Sequence, residues 1–377
     1  MVGRRVLLVV GFACAYHLMA VLAPTWVTAM HESHGRDFAS YYYAVQVSAD
    51  GGDPYSKAAL SVAARKDETR TGVYPFFYPP PFLAFASWVS PFELKTAYKL
   101  WFWFDELALL AAAGALWRWW GRLGPEVGAV VAMAIALLSC IPNNHLMGQA
   151  NLPVLAIVLV GLWLADEGSR PKNLAGGLLV GLGCMLKMSP ALFVAWWVLR
   201  RKWDAVGGAL FAALAVSLAT IPWMPLTDQL NFYTQILPGF ASGDYNGLSI
   251  PINIFGNHSA ANAWHELLVG GRRLDSTASN LGALTVGVAL VVMAVAFRRT
   301  PKDAWARWAQ AAAVGAILIV VPVFAYEHHL VWLMPAAVLT CVGVLRGRLS
   351  LPWAVFVGVA LAVWCFDLAS LKVLWLW

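Results

Sequence analysis

Charged residues are scarce in this chain of 377 residues. Asp, Glu, Lys and Arg make up 12% of it and hydrophobic residues make up 60%, whereas roughly 25% of an ordinary soluble domain is charged. This composition excludes a soluble domain of any size. Apolar runs of about 20 residues, the length that crosses a bilayer as a helix, recur along nearly the whole chain. The sequence therefore predicts an all-α, polytopic transmembrane helical bundle, in one domain that covers residues 1–377.

Cysteines are also few, and all of them lie in or beside apolar runs: Cys14, Cys140, Cys184, Cys341 and Cys365. Because no two have CxxC spacing, the sequence predicts neither a disulfide framework nor a metal site made by cysteines. The formal net charge is +6, but the basic residues come in short clusters rather than along one stripe. Nucleic acid is therefore not predicted as a partner.

Fifteen of the 26 Lys and Arg residues form six clusters between apolar runs: Arg4/Arg5, Arg118/Arg122, Arg170/Lys172, Arg200/Arg201/Lys202, Arg298/Arg299/Lys302/Arg307 and Arg346/Arg348. The positive-inside rule places such clusters in the cytoplasm. The N-terminus is then cytoplasmic, and the first apolar run, which lacks an AxA-like cleavage site, is expected to stay as a membrane helix.

This topology predicts about eleven membrane helices, near residues 6–30, 97–118, 127–142, 152–166, 174–187, 190–200, 204–222, 278–297, 305–324, 330–345 and 351–370. Two long outer loops remain, about 31–96 and 222–277, in which we expect short helices at the membrane surface. The apolar segment 74–92 must not cross, because a crossing would separate Arg4 and Arg5 from every later cluster. We expect it to form a re-entrant or interface-lying helix that begins at its proline run.

Two positions interrupt the predicted helices. Lys187 and Pro190 lie where two short helices meet, and a broken helix in a membrane is tolerated only where it lines a protein or water cavity. Asp105 and Glu106 lie about eight residues into the predicted helix 97–118. One interpretation is that residues 93–106 lie on the surface and the crossing begins later.

Once the chain is threaded in this way, its uncommon polar residues gather on the outer face. They include Arg36, Asp37, Asn143, Asn144, His145, Gln149, Asn151, Lys187, Asn246, Asn253, Asn257, His258, Glu327, His328 and His329. A carboxylate such as Asp37 can take a proton from a sugar hydroxyl that attacks an anomeric carbon. Cations or hydrogen-bond donors, here Lys187 and the two adjacent histidines, can stabilise a leaving phosphate.

Each of these residues also has a structural interpretation, which the sequence leaves open. Asp37 can be a helix-end carboxylate paired with Arg36, and Lys187 can extend its amine to the interface. His328 can cap a helix while His329 faces headgroups, or both can join Glu327 in a metal cluster. The metal interpretation lacks HxxxH or HxxE spacing. Gln149 and Asn151 can simply cap the helix that follows.

Six segments occur in the order seen in glycosyltransferase family 87, and the chain resembles that family on them. They are RDFASYYYAVQ, GGDPY, FYPPPFLAF, MGQANLPVLAIVL, LKMSPALFVAWWVLRRKW and YEHHLVWLMP. The resemblance as a whole covers most of the chain, from about residue 5 to residue 345. The resemblance implies a GT-C fold in the bacterial cytoplasmic membrane, with an outward-facing active site. It implies transfer of a sugar, mannose by family habit, from a polyprenyl-phosphate donor to a glycolipid or glycan acceptor, without a metal or other cofactor.

The resemblance also assigns roles to residues. The family's proposed base falls on Asp37, the lysine of its KxxP motif on Lys187, and its late histidine on His328 or His329. We treat the last three as candidates for binding the donor phosphate. Weaker candidates for substrate contacts are Arg36, Tyr41, Asn144, Gln149, Asn151 and Glu327. No second acid accompanies Asp37 as a DxD motif, which agrees with a metal-independent mechanism.

Two other functions fit a polytopic chain with polar outer residues. A flippase or transporter of a lipid-linked sugar would need no chemistry, but the sequence has no internal repeat of the kind many transporters show. A polymer ligase would use His328 or His329 as its base, and Asp37 would then be dispensable.

Overall fold

The computed structural model describes residues 2–31, 35–67, 73–166, 168–240, 244–245, 248–249, 251–253 and 256–365. Most of this part of the chain is helical, which confirms the predicted fold class. The N-terminal third forms α1 (Val2–Tyr16), α2 (Ala23–His31), α3 (Arg36–Ala49), α4 (Lys57–Lys66), α5 (Pro81–Ala86) and α6 (Leu94–Trp120). A π-helical stretch, His17–Leu22, joins α1 to α2 in one continuous rod.

The middle of the chain forms α7 (Glu126–Leu137), α8 (Cys140–Met147), α9 (Asn151–Asp166), α10 (Arg170–Leu186), α11 (Ala191–Leu199) and α12 (Trp203–Ala219). The remainder forms α13 (Leu226–Asn231), α14 (Leu237–Phe240), α15 (Ala260–Leu268), α16 (Ser276–Phe297), α17 (Ala304–Val320), α18 (Met334–Leu345) and α19 (Leu351–Cys365). A 3₁₀ turn, Glu327–Leu333, leads directly into α18. Two short strands, β1 (Asp244–Tyr245) and β2 (Leu248–Ser249), pair antiparallel.

Four helical stretches among the described residues are long and apolar enough to cross a membrane: Gly3–His31, Leu94–Leu123, Ser276–Phe297 and Glu327–Leu345. A fifth crossing is possible where α7 and α8 meet at a bend of 54°. Four further apolar helices are shorter: Asn151–Asp166, Trp203–Ala219, Ala304–Val320 and Leu351–Ala360. These helices lie where the sequence predicted membrane helices, and the count of eleven crossings stays a prediction.

The segment 74–92 does not form a membrane helix. Its helix, α5, has six residues, so its length is about 9 Å, far less than a bilayer needs. Phe82 and Leu83 are fully buried, because α5 packs against α3, α10 and α12. The structure confirms that this segment forms no membrane-crossing helix and that its helix begins at the proline run. Its re-entrant or interface-lying placement stays a prediction. Helix α5 packs against α10 inside the bundle.

The interpretation that residues 93–106 lie on the surface is wrong. Helix α6 is unbroken from Leu94, and Trp101, Phe102 and Asp105 are fully buried. The polar pair Asp105 and Glu106 therefore lies inside the bundle. There it has hydrogen-bonding partners on α8 and on the first rod.

Small residues hold α10 close to its neighbours. A Cβ atom at Gly177 would lie 2.0 Å from the carbonyl oxygen of Ala205, and one at Gly181 would lie 2.5 Å from that of Ala209. Glycines four residues apart on one helix face allow such close backbone contact between membrane helices. This packing fixes the direction of α10 and hence the place where it ends, at Lys187.

The charged helix ends meet at one end of the bundle, which we call the basic end and define by Asp166, Arg170, Lys202 and Arg307. Arg307 Nε donates to Asp166 Oδ1 over 3.0 Å, and Arg170 pairs with Asp204 over 3.3 Å. Lys202 donates to the carbonyl oxygen of Ala165. Helix α9 connects this end to Asn151, 15 residues earlier and so about 22 Å away.

Candidate active site

Asp37 lies in the first turn of α3, where the positive end of the helix dipole favours a carboxylate. Gly35 precedes the helix as its N-cap, and its φ of 63° is a left-handed value that glycine adopts without strain. A second left-handed glycine, Gly148, ends α8, and a Cβ atom there would lie 2.6 Å from Cβ of Phe38. Only glycine lets the end of α8 approach α3 so closely. The following residue, Gln149, thereby reaches Asp37.

Neutral side chains hold Asp37 through a chain of hydrogen bonds. Gln149 Nε2 donates to Asp37 Oδ2 over 2.7 Å, and Gln149 Oε1 accepts from the Tyr78 hydroxyl over 2.6 Å and from the Tyr41 hydroxyl over 3.2 Å. The single hydroxyl proton of Tyr41 is shared between Gln149 Oε1 and the Tyr78 oxygen, which lies 2.7 Å away. Burial raises the pKa of both tyrosines, so both stay protonated and act as donors. The Gln149 amide is therefore oriented with its nitrogen toward the carboxylate.

Lys187 lies at the break between α10 and α11, with extended backbone angles. Its Nζ donates to Oδ1 of Asn151, and it lies 5.4 Å from the centre of the Tyr78 ring, within cation–π range. The break that the sequence predicted at this lysine is thus confirmed. Asn151 also donates to the backbone carbonyl of His328 over 3.1 Å. One amide side chain therefore joins Lys187 to the histidine segment.

The Lys187 side chain is half-buried, and the Asp37 carboxylate lies near enough to favour its charged form. A buried ammonium is costly unless an anion compensates it. Among the described side chains, the hydrogen-bond partner of the amine is a neutral amide rather than a carboxylate. An anionic ligand near Lys187 would stabilise the charged form of the amine.

The two histidines differ in their contacts. His329 Nδ1 accepts a hydrogen bond from the backbone N–H of Tyr326 over 3.0 Å, which caps the 3₁₀ turn and leaves Nε2 as the nitrogen that carries the proton. His328 is buried, with its ring centre 4.5 Å from that of His329. Capping was the structural interpretation for His328, and the structure gives that contact to His329 instead.

The second loop approaches the same histidine segment. The backbone N–H of His258 donates to the carbonyl of Ala325 over 2.7 Å, and Glu327 accepts from Asn143 over 3.1 Å. A Cβ atom at Gly256 would lie 3.4 Å from the Glu327 carboxylate. Among the described residues, no group of three or more His, Cys, Asp or Glu side chains is spaced to hold a metal ion.

The structure brings together most of the residues that the sequence selected. Asp37, Gln149, Asn151, Lys187 and the backbone of His328 form one linked set, which we call the site end of the bundle. The side chain of Arg36 and all of Asn246 lie outside the described residues. Neither Gln149 nor Asn151 merely caps a helix, because both make long-range side-chain contacts.

Three candidates for substrate contacts have mainly internal partners. Tyr41, Asn144 and Asn151 are fully buried and form hydrogen bonds with other protein groups. Sequence reasoning did not select Tyr78 as a site residue. Its place in the aromatic FYPPP segment was the sequence signal that could have identified it. Only the fold shows that its hydroxyl reaches Gln149.

A model of glycosyltransferase family 87 matches residues 76–322. The chain belongs to this family. The match includes Gln149, Asn151 and Lys187, and it lies between the segments that carry Asp37 and His328.

The family-87 chain is similar to several characterised enzymes. It is 30% identical over 255 residues to a polyprenol-phosphate-mannose-dependent alpha-(1-2)-phosphatidylinositol mannoside mannosyltransferase of Mycolicibacterium smegmatis, covering 65% of this chain and 54% of the relative. It is 29% identical over 185 residues to an alpha-(1->3)-arabinofuranosyltransferase of Mycobacterium tuberculosis, covering 48% and 40%. A pentamannoside mannosyltransferase of M. smegmatis is 26% identical over 299 residues, covering 76% and 67%.

The family-87 chain thus spans about half the length of the first of these relatives. No solved structure matches it. Its apolar helices and its membrane-enzyme relatives together identify it as a membrane protein.

Proposed function

We propose that this family-87 protein is a glycosyltransferase that moves a sugar from a polyprenyl-phosphate carrier to a hydroxyl of a glycolipid or glycan. The observation that carries the proposal is the linked set at the site end, where Asp37 and Lys187 share one site through Gln149, Tyr78 and Asn151. A general base and a cation for a phosphate are the two groups that this reaction needs.

The sugar is proposed to be mannose. Two of the relatives described above are named for polyprenol-phosphate-mannose dependence, whereas the third is named for arabinofuranose transfer. The proposed site is compatible with either sugar, because Lys187 would contact the phosphate of the lipid carrier and not the sugar ring.

In the proposed reaction the acceptor oxygen attacks the anomeric carbon of the donor sugar. The bond between that carbon and the phosphate oxygen breaks, and its electron pair leaves with polyprenyl phosphate. Asp37 takes the proton of the acceptor hydroxyl and later loses it to water. Direct displacement inverts the anomeric configuration, so a β-linked donor gives an α-linked product.

Lys187 is proposed to stabilise the leaving phosphate, with His328 or His329 as further donors. The phosphodiester of the donor carries one negative charge, and the phosphate gains a second as the bond breaks. An ammonium that is held within a protein interior interacts with that growing charge more strongly than it would in water. One lysine suffices for a monophosphate, and the proposed mechanism is independent of metal and other cofactors.

The site end is proposed to face outward from the bacterial cytoplasmic membrane, with the N-terminus in the cytoplasm. The support is the position of the basic end, which lies about 22 Å from the site along α9 and holds Arg170, Lys202 and Arg307. The positive-inside rule places such clusters in the cytoplasm.

The test compares the wild type with Asp37→Asn, using purified protein, a radiolabelled polyprenyl-phosphate sugar and a bacterial lipid extract as the source of acceptor. We expect the substitution to lower kcat by roughly 10²–10⁴-fold, the usual contribution of a general base. Donor binding should change little, because the proposed phosphate ligand Lys187 is untouched. Asp53→Asn is the matched control, because Asp53 accepts a hydrogen bond from the nearby Tyr55 backbone N–H and does not belong to the site end.

Transfer at the wild-type rate by Asp37→Asn would exclude this carboxylate as the base. If His328→Ala abolished transfer under that outcome, a histidine-dependent ligase would replace the proposal. If neither protein transferred sugar but vesicles containing either one moved the lipid between leaflets, the protein would be a flippase.

A further inference from the structure

A buried carboxylate beneath the site, Asp105, is not used by the proposed chemistry. It is 0% exposed, on α6, and its Oδ2 accepts a hydrogen bond from Asn144 Nδ2 over 3.1 Å. An ionisable group inside a membrane protein is costly and is seldom retained without a function. Its Oδ1 has no hydrogen-bond partner among the described residues, so Asn144 is the main contact through which it acts.

Asn144 connects Asp105 to both halves of the site. Its Nδ2 also donates to the backbone carbonyl of Gln149 over 3.0 Å, and its Oδ1 accepts from Asn151 Nδ2 over 3.2 Å. Gln149 holds Asp37, and Asn151 holds Lys187. A single fully buried amide therefore fixes the turn that positions the base and the cation.

The hydrogen bonds along this chain all point in one direction. Lys187 donates to Asn151, Asn151 donates to Asn144, and Asn144 donates to Asp105. An amide side chain can rotate by half a turn and exchange its oxygen and nitrogen, so its orientation depends on its neighbours. At one end of the chain the ammonium can only donate. At the other end Asp105 accepts from Asn144 Nδ2. The backbone carbonyls of Gln149 and His328, which can only accept, hold the nitrogens of Asn144 and Asn151 in the same orientation.

We propose that Asp105 is a positioning residue for the transfer reaction: it ties Asn144 to α6 and so fixes the turn that places Gln149 beside Asp37 and Asn151 beside Lys187. The backbone carbonyls of Gln149 and His328 orient the two amides, and Asp105 sets where this network lies relative to α6. Without an acceptor at residue 105, one N–H of Asn144 would be buried without a partner, and Asn144 would shift away from α6. Asn151 and the turn that carries Gln149 would then move relative to Lys187 and Asp37.

The inference rests on the proposed function, and Asp105→Leu tests it. Leucine has a similar volume but accepts no hydrogen bond. We expect the KM for the polyprenyl-phosphate donor to rise about 10–30-fold and kcat to fall about tenfold, since misplacement by about 1 Å can cost a factor of 10². Asp105→Asn keeps an acceptor oxygen and should stay within about threefold of the wild type.

A double-mutant cycle separates positioning from general stability. If Asp105 acts through the amine, then Asp105→Leu should change the donor KM less than about twofold when Lys187 is already methionine. His17→Gln is the matched control. His17 bonds to Glu106, the neighbour of Asp105, over 3.0 Å. Its loss should lower the melting temperature but leave kcat and KM of the folded protein unchanged.

Four outcomes decide the inference. Equal kinetics for Asp105→Leu and the wild type would overturn it, and so would an undiminished KM effect in the Lys187→Met background. An inactive but folded Asp105→Asn would overturn it in favour of proton transfer by the carboxyl group. If the wild type neither bound the donor nor transferred its sugar, the proposed function would be wrong. That result differs from an active wild type whose Asp105 variants have unchanged kinetics, which would overturn only this inference.

Discussion

The two ends of the helical bundle use charge in opposite ways. At the basic end, Asp166 is bonded directly to Arg307 over 3.0 Å and also accepts from the indoles of Trp119 and Trp308 over 3.0 and 2.9 Å. At the site end, Asp37 accepts from the neutral amide of Gln149, and Lys187 donates to the neutral amide of Asn151. A cation is bonded to Asp166, whereas a neutral amide is among the partners that orient Asp37.

This difference shows how a fold can keep charged groups available for chemistry. A carboxylate in a buried salt bridge is held ionised and is a weak proton acceptor. A neutral amide orients a charged group without cancelling its charge. The ion pair at the basic end therefore holds helices α9 and α17 together. The site end instead keeps one group to accept a proton and another to bind a phosphate.

The largest expected effect is on stability, at the basic end. Asp166→Leu removes the acceptor of three donors and leaves Arg307 without its carboxylate partner, which should lower the free energy of unfolding by about 3 kcal/mol. Thermal denaturation in detergent measures this change. For the fraction that remains folded, the transfer rate and the donor KM should match the wild type. A comparable loss of donor affinity would show that the two ends are not independent.

At the site end, Lys187→Met should weaken donor binding by about 2 kcal/mol, or about 30-fold, because a charge-assisted hydrogen bond to the phosphate is lost. The stability of the protein should hold or rise slightly, since a buried cation is removed. Titration with polyprenyl phosphate gives the affinity, and thermal denaturation gives the stability. Unchanged affinity would exclude Lys187 as the phosphate ligand.

Lys187→Arg is the control for that substitution, because it keeps a permanent positive charge at residue 187. It should recover part of the affinity that Lys187→Met loses. The same titration with polyprenyl phosphate measures this recovery. Binding as weak as that of Lys187→Met would show that the geometry of the amine matters more than its charge.

The smallest effect is expected for Tyr78→Phe. It removes the hydroxyl that bonds to Gln149 but keeps the ring beside Lys187, so kcat should fall about fivefold, or about 1 kcal/mol, with little change in donor KM. Steady-state kinetics separate the two parameters. Tyr42→Phe is the matched control, because the Tyr42 hydroxyl donates to the Phe92 carbonyl and not to Gln149. A larger change in KM than in kcat would show that Tyr78 acts on the donor instead of the base.

Much of this architecture could be predicted from the sequence because membrane insertion acts on local composition. Apolar runs, the Lys-x-x-Pro break at Lys187 and the proline run before α5 each depend on neighbouring residues in the chain. Asp105 and Glu106 were misinterpreted as a sign that the crossing begins later. Their cost inside the bundle is reduced by His17, His145 and Asn144, which come from distant segments.

The sequence by itself determined that the chain is a helical membrane protein, that its basic clusters lie between apolar runs, and which few polar residues were candidates for chemistry. Only the tertiary structure decided that Gln149 meets Asp37, that Tyr78 lies beside Lys187, and that Asn144 joins the site to Asp105. Hydropathy is summed along neighbouring residues, but hydrogen bonds over about 3 Å between helices depend on packing. Here the left-handed Gly148 and the closely packed face of α10 set that packing.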